Sequence, residues 1–258
     1  MPYAEASGLR WFEFEIFKDE PGIVHGGVRR EPWYSLNVPP SAGEERSRVI
    51  ENRRRILASL PEHESGFFDV WQVHGTEVVI AERPRPADEP HKKADSIITS
   101  RGNLAVLMLF ADCVPILFFD PVKKAVGMAH AGWQGTVSRV AGAAVRAMAD
   151  AFLSDPADLL VGIGPSICPE HYQVGQDVID RVEKTFGANS GLLTHRADSK
   201  AQLDLWRANV QVLIDSGVRE DHIEVAGVCT AEHPHDWYSH RGEKGKTGRF
   251  ASVIALTE

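Results

Sequence analysis

The run from Leu104 to Phe119, LAVLMLFADCVPILFF, is the longest apolar stretch in the chain and limits what the chain can fold into. Asp112 and Pro115 interrupt it, and it falls short of the ~20 clean apolar residues that a membrane helix requires. It therefore reads as buried core around which the other elements must pack. Its first part, Leu104 to Phe110, is almost wholly apolar, as a strand covered on both faces would be.

The flanking segments supply partners for such a strand. Asp69 to Ala81 is rich in valine, Ala94 to Thr99 is short and β-branched, and Ala125 to Ala129 and Leu159 to Ile163 are further short apolar runs. Strands are also expected near Ile223 to Cys229 and Phe250 to Leu256. Helical spacing appears in Arg46 to Leu60, through Val49, Ile50, Ile56, Leu57 and Leu60, with Arg53 interrupting the stripe, Pro61 as its stop and, on the plainest reading, its many arginines as the wet face. A second helix is expected from an N-cap at Thr136, burying Val137, Val140, Ala144, Val145, Met148 and Phe152. Two more are expected around Val178 to Phe186 and Leu203 to Ser216, the latter closed by Gly217. The mixture is α plus β. Strands and helices do not alternate strictly, which favours mixed β-sheets with helices on their outer faces over a regular doubly wound sheet.

At 258 residues, with 43% hydrophobic and 25% charged content, the chain has ordinary globular composition. With no internal repeat, and only Glu82 to Lys93 rich in proline and charge, one domain spanning residues 1–258 is the simplest parse, that segment being a surface loop. The first fourteen residues carry no basic cluster followed by a continuous apolar stretch, so a cytoplasmic protein without a secretory signal is expected. A net charge of -8 argues against a nucleic-acid surface but leaves room for a local basic pocket holding a phosphate-sized anion. No membrane association and no obligate protein partner are expected. The three cysteines, Cys113, Cys168 and Cys229, form neither a disulfide framework nor a zinc-finger pattern.

Three short pieces carry chemical potential: WQVHGT (Trp71 to Thr76), ADCVP (Ala111 to Pro115) and AHAGWQG (Ala129 to Gly135). Each sets a histidine or cysteine beside small residues or an apolar strand. A His/Cys/His set made of His74, Cys113 and His130 would give a transition metal three protein ligands and leave a fourth position for water or substrate. These residues lie far apart in the chain, so spacing alone also allows an inert buried thiol and hydrogen-bonded structural histidines. A Cys113/His130 nucleophilic dyad uses the same residues but has no need of His74. The stretch from His130 to Thr136 is either a plain strand-to-helix turn or a helix N-terminus offering free N–H groups to phosphate. The segment YSHRGEKGKTGR, Tyr238 to Arg249, is either an anion-binding lid or a solvated loop.

The ordered set QVHG, ADCVPILFFDP, AHAGWQG, IGPSIC with Tyr172 and VGQDV, LDLWRAN, and CT before YSHR and TGR resembles the YfiH family. Its members are also called laccase-domain, multicopper polyphenol oxidase-like or peptidoglycan editing proteins. The resemblance runs from about Ser35 to the C-terminus. It implies a single-domain α/β/β/α arrangement with a metal pocket of His74, Cys113 and His130, holding Zn²⁺ or, alternatively, copper. It also implies phosphorolysis of adenosine, inosine, guanosine and methylthioadenosine, and hydrolytic deamination of adenosine, so that purine nucleosides and phosphate are the expected partners. In that frame Cys113 and Asp112 are the catalytic candidates, Asp112 as a proton-transfer group, and Arg241, Arg29 and Asn37 are the substrate or phosphate candidates.

Two positions depart from the family pattern. The segment before SLN is GIVHGGVRREPWYSLNV rather than one containing TTR-x-GGVS, which leaves the register of Arg29 and Arg30 ambiguous, and Gln134 replaces the usual arginine of AGWRG. Two other roles attach to the family: a cysteine amidase editing peptidoglycan precursors, with Cys113 as nucleophile and His130 as base, and a copper oxidase acting on phenols. For the latter the sequence offers a single HxH pair, His233 and His235, and no Met/Cys/His copper cluster.

Overall fold

In a computed structural model of the protein, describing residues 3–6, 8–30, 46–60, 66–86, 88–196 and 199–257, two six-stranded sheets face each other. The first is ordered β1 (Tyr3–Ala6), β2 (Leu9–Phe12), β3 (Ile23–Val28), then the last strand, then β7 (Ala105–Phe110) and β4 (Phe67–Phe68). That last strand is β15 (Phe250–Leu256), antiparallel to both β3 and β7. The second sheet runs β14 (Ile223–Val225), β10 (Leu160–Ile163), β8 (Val114–Asp120), β9 (Ala125–Ala131), β6 (Ser96–Thr99) and β5 (Val78–Ile80). Both are mixed: β4 pairs with β7, β5 with β6, and β10 with β14 in parallel, the remaining pairs being antiparallel.

The alternation of side chains along each strand creates three apolar layers. Between the sheets lie Phe12, Val106, Met108, Phe110 and Ile254 from one and Ile97, Leu117, Phe119, Val126 and Met128 from the other. The opposite face of the first sheet, with Leu107, Val253 and Ala255, receives Ile56 of α1 (Arg46–Ser59). The opposite face of the second sheet, with Ile98, Ile116, Phe118 and Ala129, is covered by α3 (Val140–Phe152), α4 (Gln176–Phe186) and α5 (Leu205–Asp215). Each fully buried side chain of this size contributes on the order of 2 kcal/mol, which explains why a chain so rich in short apolar strands closes into four layers, α/β/β/α. A third, small sheet of β11 (Gln173–Val174), β13 (Ala201–Leu203) and β12 (Leu193–His195) flanks α4 and α5. Among the described residues no helix is long and apolar enough to cross a membrane.

Several local expectations are corrected. Of Asp69 to Ala81 only Val78–Ile80 is a strand, because the backbone N–H groups of residues 73–75 bond a side-chain carboxylate instead of a neighbouring strand. Thr136 is not an N-cap: it lies inside the short helix α2 (Trp133–Val137), where its hydroxyl meets the Asn209 side chain. Arg139, left-handed at φ 62°, then separates α2 from α3. Leu203 belongs to β13, and α5 begins at Leu205 after Asp204, whose carboxylate accepts the Arg207 N–H as an N-cap. The strand expected to reach Cys229 ends at Val225. On α1, Ile50 is exposed, and Arg53, the residue that interrupts the apolar stripe, reaches inward to the buried Asp69 at 2.9 Å. Gly217 does close α5, at φ 95°.

One junction positions the functional residues. Strand β7 lies in the first sheet and β8 in the second, and only Ala111, Asp112 and Cys113 join them. This corner needs a left-handed residue, which Asp112 supplies at φ 84°. Cys113 is thereby set immediately before β8, half-buried against the core between the sheets.

Candidate functional site

Antiparallel pairing of β8 with β9 sets His130 opposite Pro115, two residues beyond Cys113. Pairing of β6 with β9 sets Ser96 opposite Ala129, so Asp95, just before β6, comes beside His130. The third piece is a turn. The Asp95 carboxylate accepts N–H bonds from Val73 at 3.1 Å, His74 at 2.9 Å and Gly75 at 2.7 Å, folding the QVHG segment around itself. His74 takes a left-handed φ of 61° in that turn. The Gln72 amide fixes the segment from the other side, donating to the Leu109 carbonyl at 2.8 Å and accepting its N–H at 3.0 Å, as a neighbouring strand would.

The outcome is that one nitrogen each from His74 and His130 and the Cys113 sulfur lie within 4.8 Å of one another. The His74 Nε2 to Cys113 Sγ distance is 3.9 Å, and the two imidazoles meet edge to face at 4.9 Å. His130 is buried, Cys113 half-buried and His74 exposed, so the cluster opens to solvent on the His74 side. Gly132 makes room for it: a Cβ there would lie 2.9 Å from Cys113 Sγ and 3.1 Å from His74 Cδ2.

Asp95, fully buried, also bonds His130 Nδ1 at 2.8 Å. With Nδ1 donating to the carboxylate, Nε2 is the nitrogen left for a metal or a proton. Burial opposes ionisation of Asp95, but His130 and the turn N–H groups more than offset it and hold the carboxyl below the usual range. Burial likewise opposes charge on Cys113 and His130, yet each is the other's counter-charge. The thiol falls to about 6 under the influence of His130 and His74, and the imidazole rises to about 9 under that of Cys113 and Asp95. The donor set fits a divalent transition metal: two imidazoles and a thiol biased toward thiolate, with one imidazole oriented by a carboxylate.

The other sequence candidates are distributed around this centre. The Asp112 carboxylate is held at both oxygens, Oδ1 accepting from Thr230 Oγ1 at 2.7 Å and Oδ2 from the Arg241 N–H at 2.6 Å. Arg241 lies over the Tyr172 ring at 5.1 Å and donates to the Gln173 carbonyl at 2.9 Å. Arg29 is engaged by Asp236 in an ion pair, and Arg30 by Glu243 at 2.9 Å while lying over the Tyr238 ring. Asn37 lies outside the described residues. Gln134 is exposed on α2.

One further residue belongs to the site, and a second feels its charge. Asp95 sits among polar and β-branched neighbours and carries no motif, so only the β6–β9 register shows its part. Arg249 stood in the sequence as the last residue of the TGR motif and as one of several basic residues in its segment, with no role of its own; Cys113 and Asp112 both act on it electrostatically. Burial lowers its basicity although those two groups oppose the shift. Tyr172 is pushed up, first by burial and then by Cys113, so its phenol stays protonated.

The sequence model of a family described as multi-copper polyphenol oxidoreductase laccase matches residues 23–257. Purine nucleoside phosphorylase YlmD of Bacillus subtilis is 36% identical over 240 residues, covering 91% of this chain and 86% of its own. A purine nucleoside phosphorylase of Deinococcus radiodurans is 35% identical over 231 residues, covering 90% and 86%. The crystal structure of YlmD from Geobacillus stearothermophilus superposes with a TM-score of 0.87 at 31% identity, covering 99% of this chain and 98% of that one. Bacillus licheniformis YfiH, described as a hypothetical protein, superposes at 0.86 with 29% identity and 99% coverage of both. By sequence along nearly its whole length and by the architecture that assembles its His/Cys/His cluster, the chain belongs to the multi-copper polyphenol oxidoreductase laccase family, alongside YfiH and YlmD.

Proposed function

We propose that this protein is a purine nucleoside phosphorylase acting on adenosine, inosine, guanosine and methylthioadenosine, and that it also deaminates adenosine by hydrolysis. The observation that carries this reading is the convergence of His74, Cys113 and His130 within 4.8 Å, in electrostatic reach of Arg249. The names of the relatives support the phosphorylase activity. His74, Cys113 and His130 hold the metal, Zn²⁺ being preferred because neither reaction transfers electrons. Such an ion supplies Lewis acidity, bringing the pKa of water toward neutrality.

The chain's own groups divide the remaining work. In phosphorolysis a phosphate oxygen bonds to the anomeric carbon as the glycosidic bond breaks, and the purine leaves with a proton. Arg249 and Arg241 hold the phosphate dianion, and the protonated Tyr172 phenol gives its neighbourhood a neutral donor. Asp112 holds the Arg241 backbone and Thr230 in position. In deamination water adds at the purine amino carbon and ammonia leaves. Asp95 keeps His130 in the tautomer that both reactions use.

A second reading has its own support in the Cys113 and His130 shifts, to about 6 and about 9, which describe a thiolate–imidazolium pair with Asp95 behind it. Without a metal this is a Cys/His/Asp arrangement for amide cleavage: the thiolate attacks the carbonyl, His130 protonates the leaving amine, and water resolves the thioester.

Product analysis of adenosine with metal-quantified protein, with and without phosphate, tests the first reading. Adenine forming only with phosphate, or inosine forming without it, with both lost in Cys113→Ala and His74→Ala, is the expected result. Neither product from a folded, metal-loaded protein overturns it. Amide hydrolysis that persists in His74→Ala and vanishes in Cys113→Ala establishes the second.

A further inference from the structure

A second group of ligand-type side chains lies outside this centre. Cys168, His171, Cys229 and Glu232 each offer one donor atom, and all four atoms lie within 4.8 Å of one another. In sequence they are two i, i+3 pairs, C-x-x-H and C-x-x-E, separated by the whole of α4, the small sheet, α5 and β14. Backbone pairing unites them: Ser166 forms a parallel bridge with Cys229, its N–H donating to the Val228 carbonyl at 3.1 Å and its carbonyl accepting from Thr230 at 3.1 Å. The Cys168 N–H points at Cys229 Sγ at 3.4 Å. Both cysteines are buried, while His171 and Glu232 face solvent.

We propose that these four side chains form a zinc site, separate from the His74/Cys113/His130 centre and structural in purpose. A tetrahedral zinc ion with Zn–S of about 2.3 Å and Zn–N or Zn–O of about 2.0 Å requires S···N and S···O separations of about 3.5 Å and an N···O separation of about 3.3 Å. Here Nδ1 of His171 lies 3.2 Å from Cys168 Sγ and 3.8 Å from Cys229 Sγ. Glu232 Oε1 lies 3.4 Å from the same nitrogen and 3.9 Å from Cys168 Sγ. Four protein donors, two of them thiols, close the coordination sphere, as structural zinc sites do, and thiolates select zinc over magnesium or calcium. Both thiols ionise on binding, so each zinc taken up releases two protons to solvent.

The site staples the turn after β10 to the loop after β14. That turn carries much of the catalytic rim: the Ile167 N–H donates to the Asp112 carbonyl at 3.1 Å, Tyr172 follows His171, and Arg241 donates to the carbonyls of His171 at 3.5 Å and Gln173 at 2.9 Å. Zinc here holds the Arg241–Tyr172 pair against the pocket without touching substrate.

The test is metal stoichiometry in the full chain. Reduced, chelator-stripped wild-type protein titrated with Zn²⁺ is expected to bind two equivalents, and the His74→Ala/Cys113→Ala variant, whose second cluster is intact, one equivalent. Co²⁺ in that variant should show thiolate-to-cobalt charge transfer and strong tetrahedral visible bands. Substituting the exposed ligands, His171→Ala or Glu232→Gln, leaves the core undisturbed and should weaken Zn²⁺ binding by more than about tenfold. The proposal is overturned if the folded double variant binds no Zn²⁺ or binds Co²⁺ without charge transfer, or if a Cys168–Cys229 disulfide persists under reducing conditions. Should the double variant not fold, a more than about tenfold weakening of one of the two Zn²⁺ equivalents in Glu232→Gln, read by chelator competition, is the supporting result, and unchanged affinity of both overturns it.

Discussion

Asp95 bonds His130 Nδ1 at 2.8 Å while the same carboxylate gathers the N–H groups of residues 73–75, so one buried side chain orients both histidines of the cluster. Asp95→Asn leaves the amide unable to satisfy all of these donors. Zn²⁺ affinity at the His74/Cys113/His130 centre is expected to fall by about 10- to 100-fold. Chelator competition on the purified variant measures it, and unchanged affinity would show that Asp95 only folds the turn.

The Cys113 thiol should be reactive in metal-free protein. Its alkylation rate should rise with a midpoint near pH 6, while the buried Cys168 and Cys229 react slowly. His130 is cationic below about 9, and Asp95 helps keep it so. Asp95→Asn therefore lowers the His130 value and moves the Cys113 midpoint upward. Iodoacetamide kinetics followed by peptide mass spectrometry read both, and a midpoint in the ordinary thiol range would refute the ion pair.

Gly132→Ala tests the close approach of the ligands. The new methyl would lie 2.9 Å from Cys113 Sγ, too close for either to remain in place. A loss of about tenfold to a hundredfold in kcat/KM for nucleoside cleavage is expected, with far-UV circular dichroism unchanged. Wild-type kinetics would mean that the ligands tolerate the displacement.

Asp112 anchors the loop that carries Arg241. In Asp112→Asn the left-handed backbone is still tolerated, but the amide cannot accept at both positions, and the Arg241 N–H or the Thr230 hydroxyl loses a charged acceptor. About 2 kcal/mol of stability should be lost in urea denaturation. Limited proteolysis within residues 238–249 should accelerate; equal proteolysis rates would show that the loop is held elsewhere.

His25 makes stability depend on pH. Packed against Phe14 and Phe17, it is lowered by burial to about 4. The unfolded chain binds a proton at ~6.5, so between these values the unfolded state holds more protons and stability falls as pH falls. Between pH 7 and pH 5 this group should remove about 2 kcal/mol. His25→Gln should flatten that part of the profile, and an unchanged profile would place the titration elsewhere.

That mixed sheets would carry helices on their outer faces was legible in the residue pattern, whereas the four-layer order came only with the family resemblance. Apolar strands and helices with one apolar stripe leave few ways of covering every face, and Val106, Phe118, Val145 and Val212 are buried as their patterns require. The ligand residues were legible only as motifs joined by a family resemblance, since His74, Cys113 and His130 share no local spacing. Tertiary structure alone decided three things: that Asp112 turns the chain between sheets, that Asp95 stands behind His130, and that Cys168 and Cys229 meet across a backbone bridge. The physical reason is common to all three. Periodicity records which face of an element is buried, whereas meetings between distant side chains depend on strand register and sheet crossing, and those are set by packing of the whole chain.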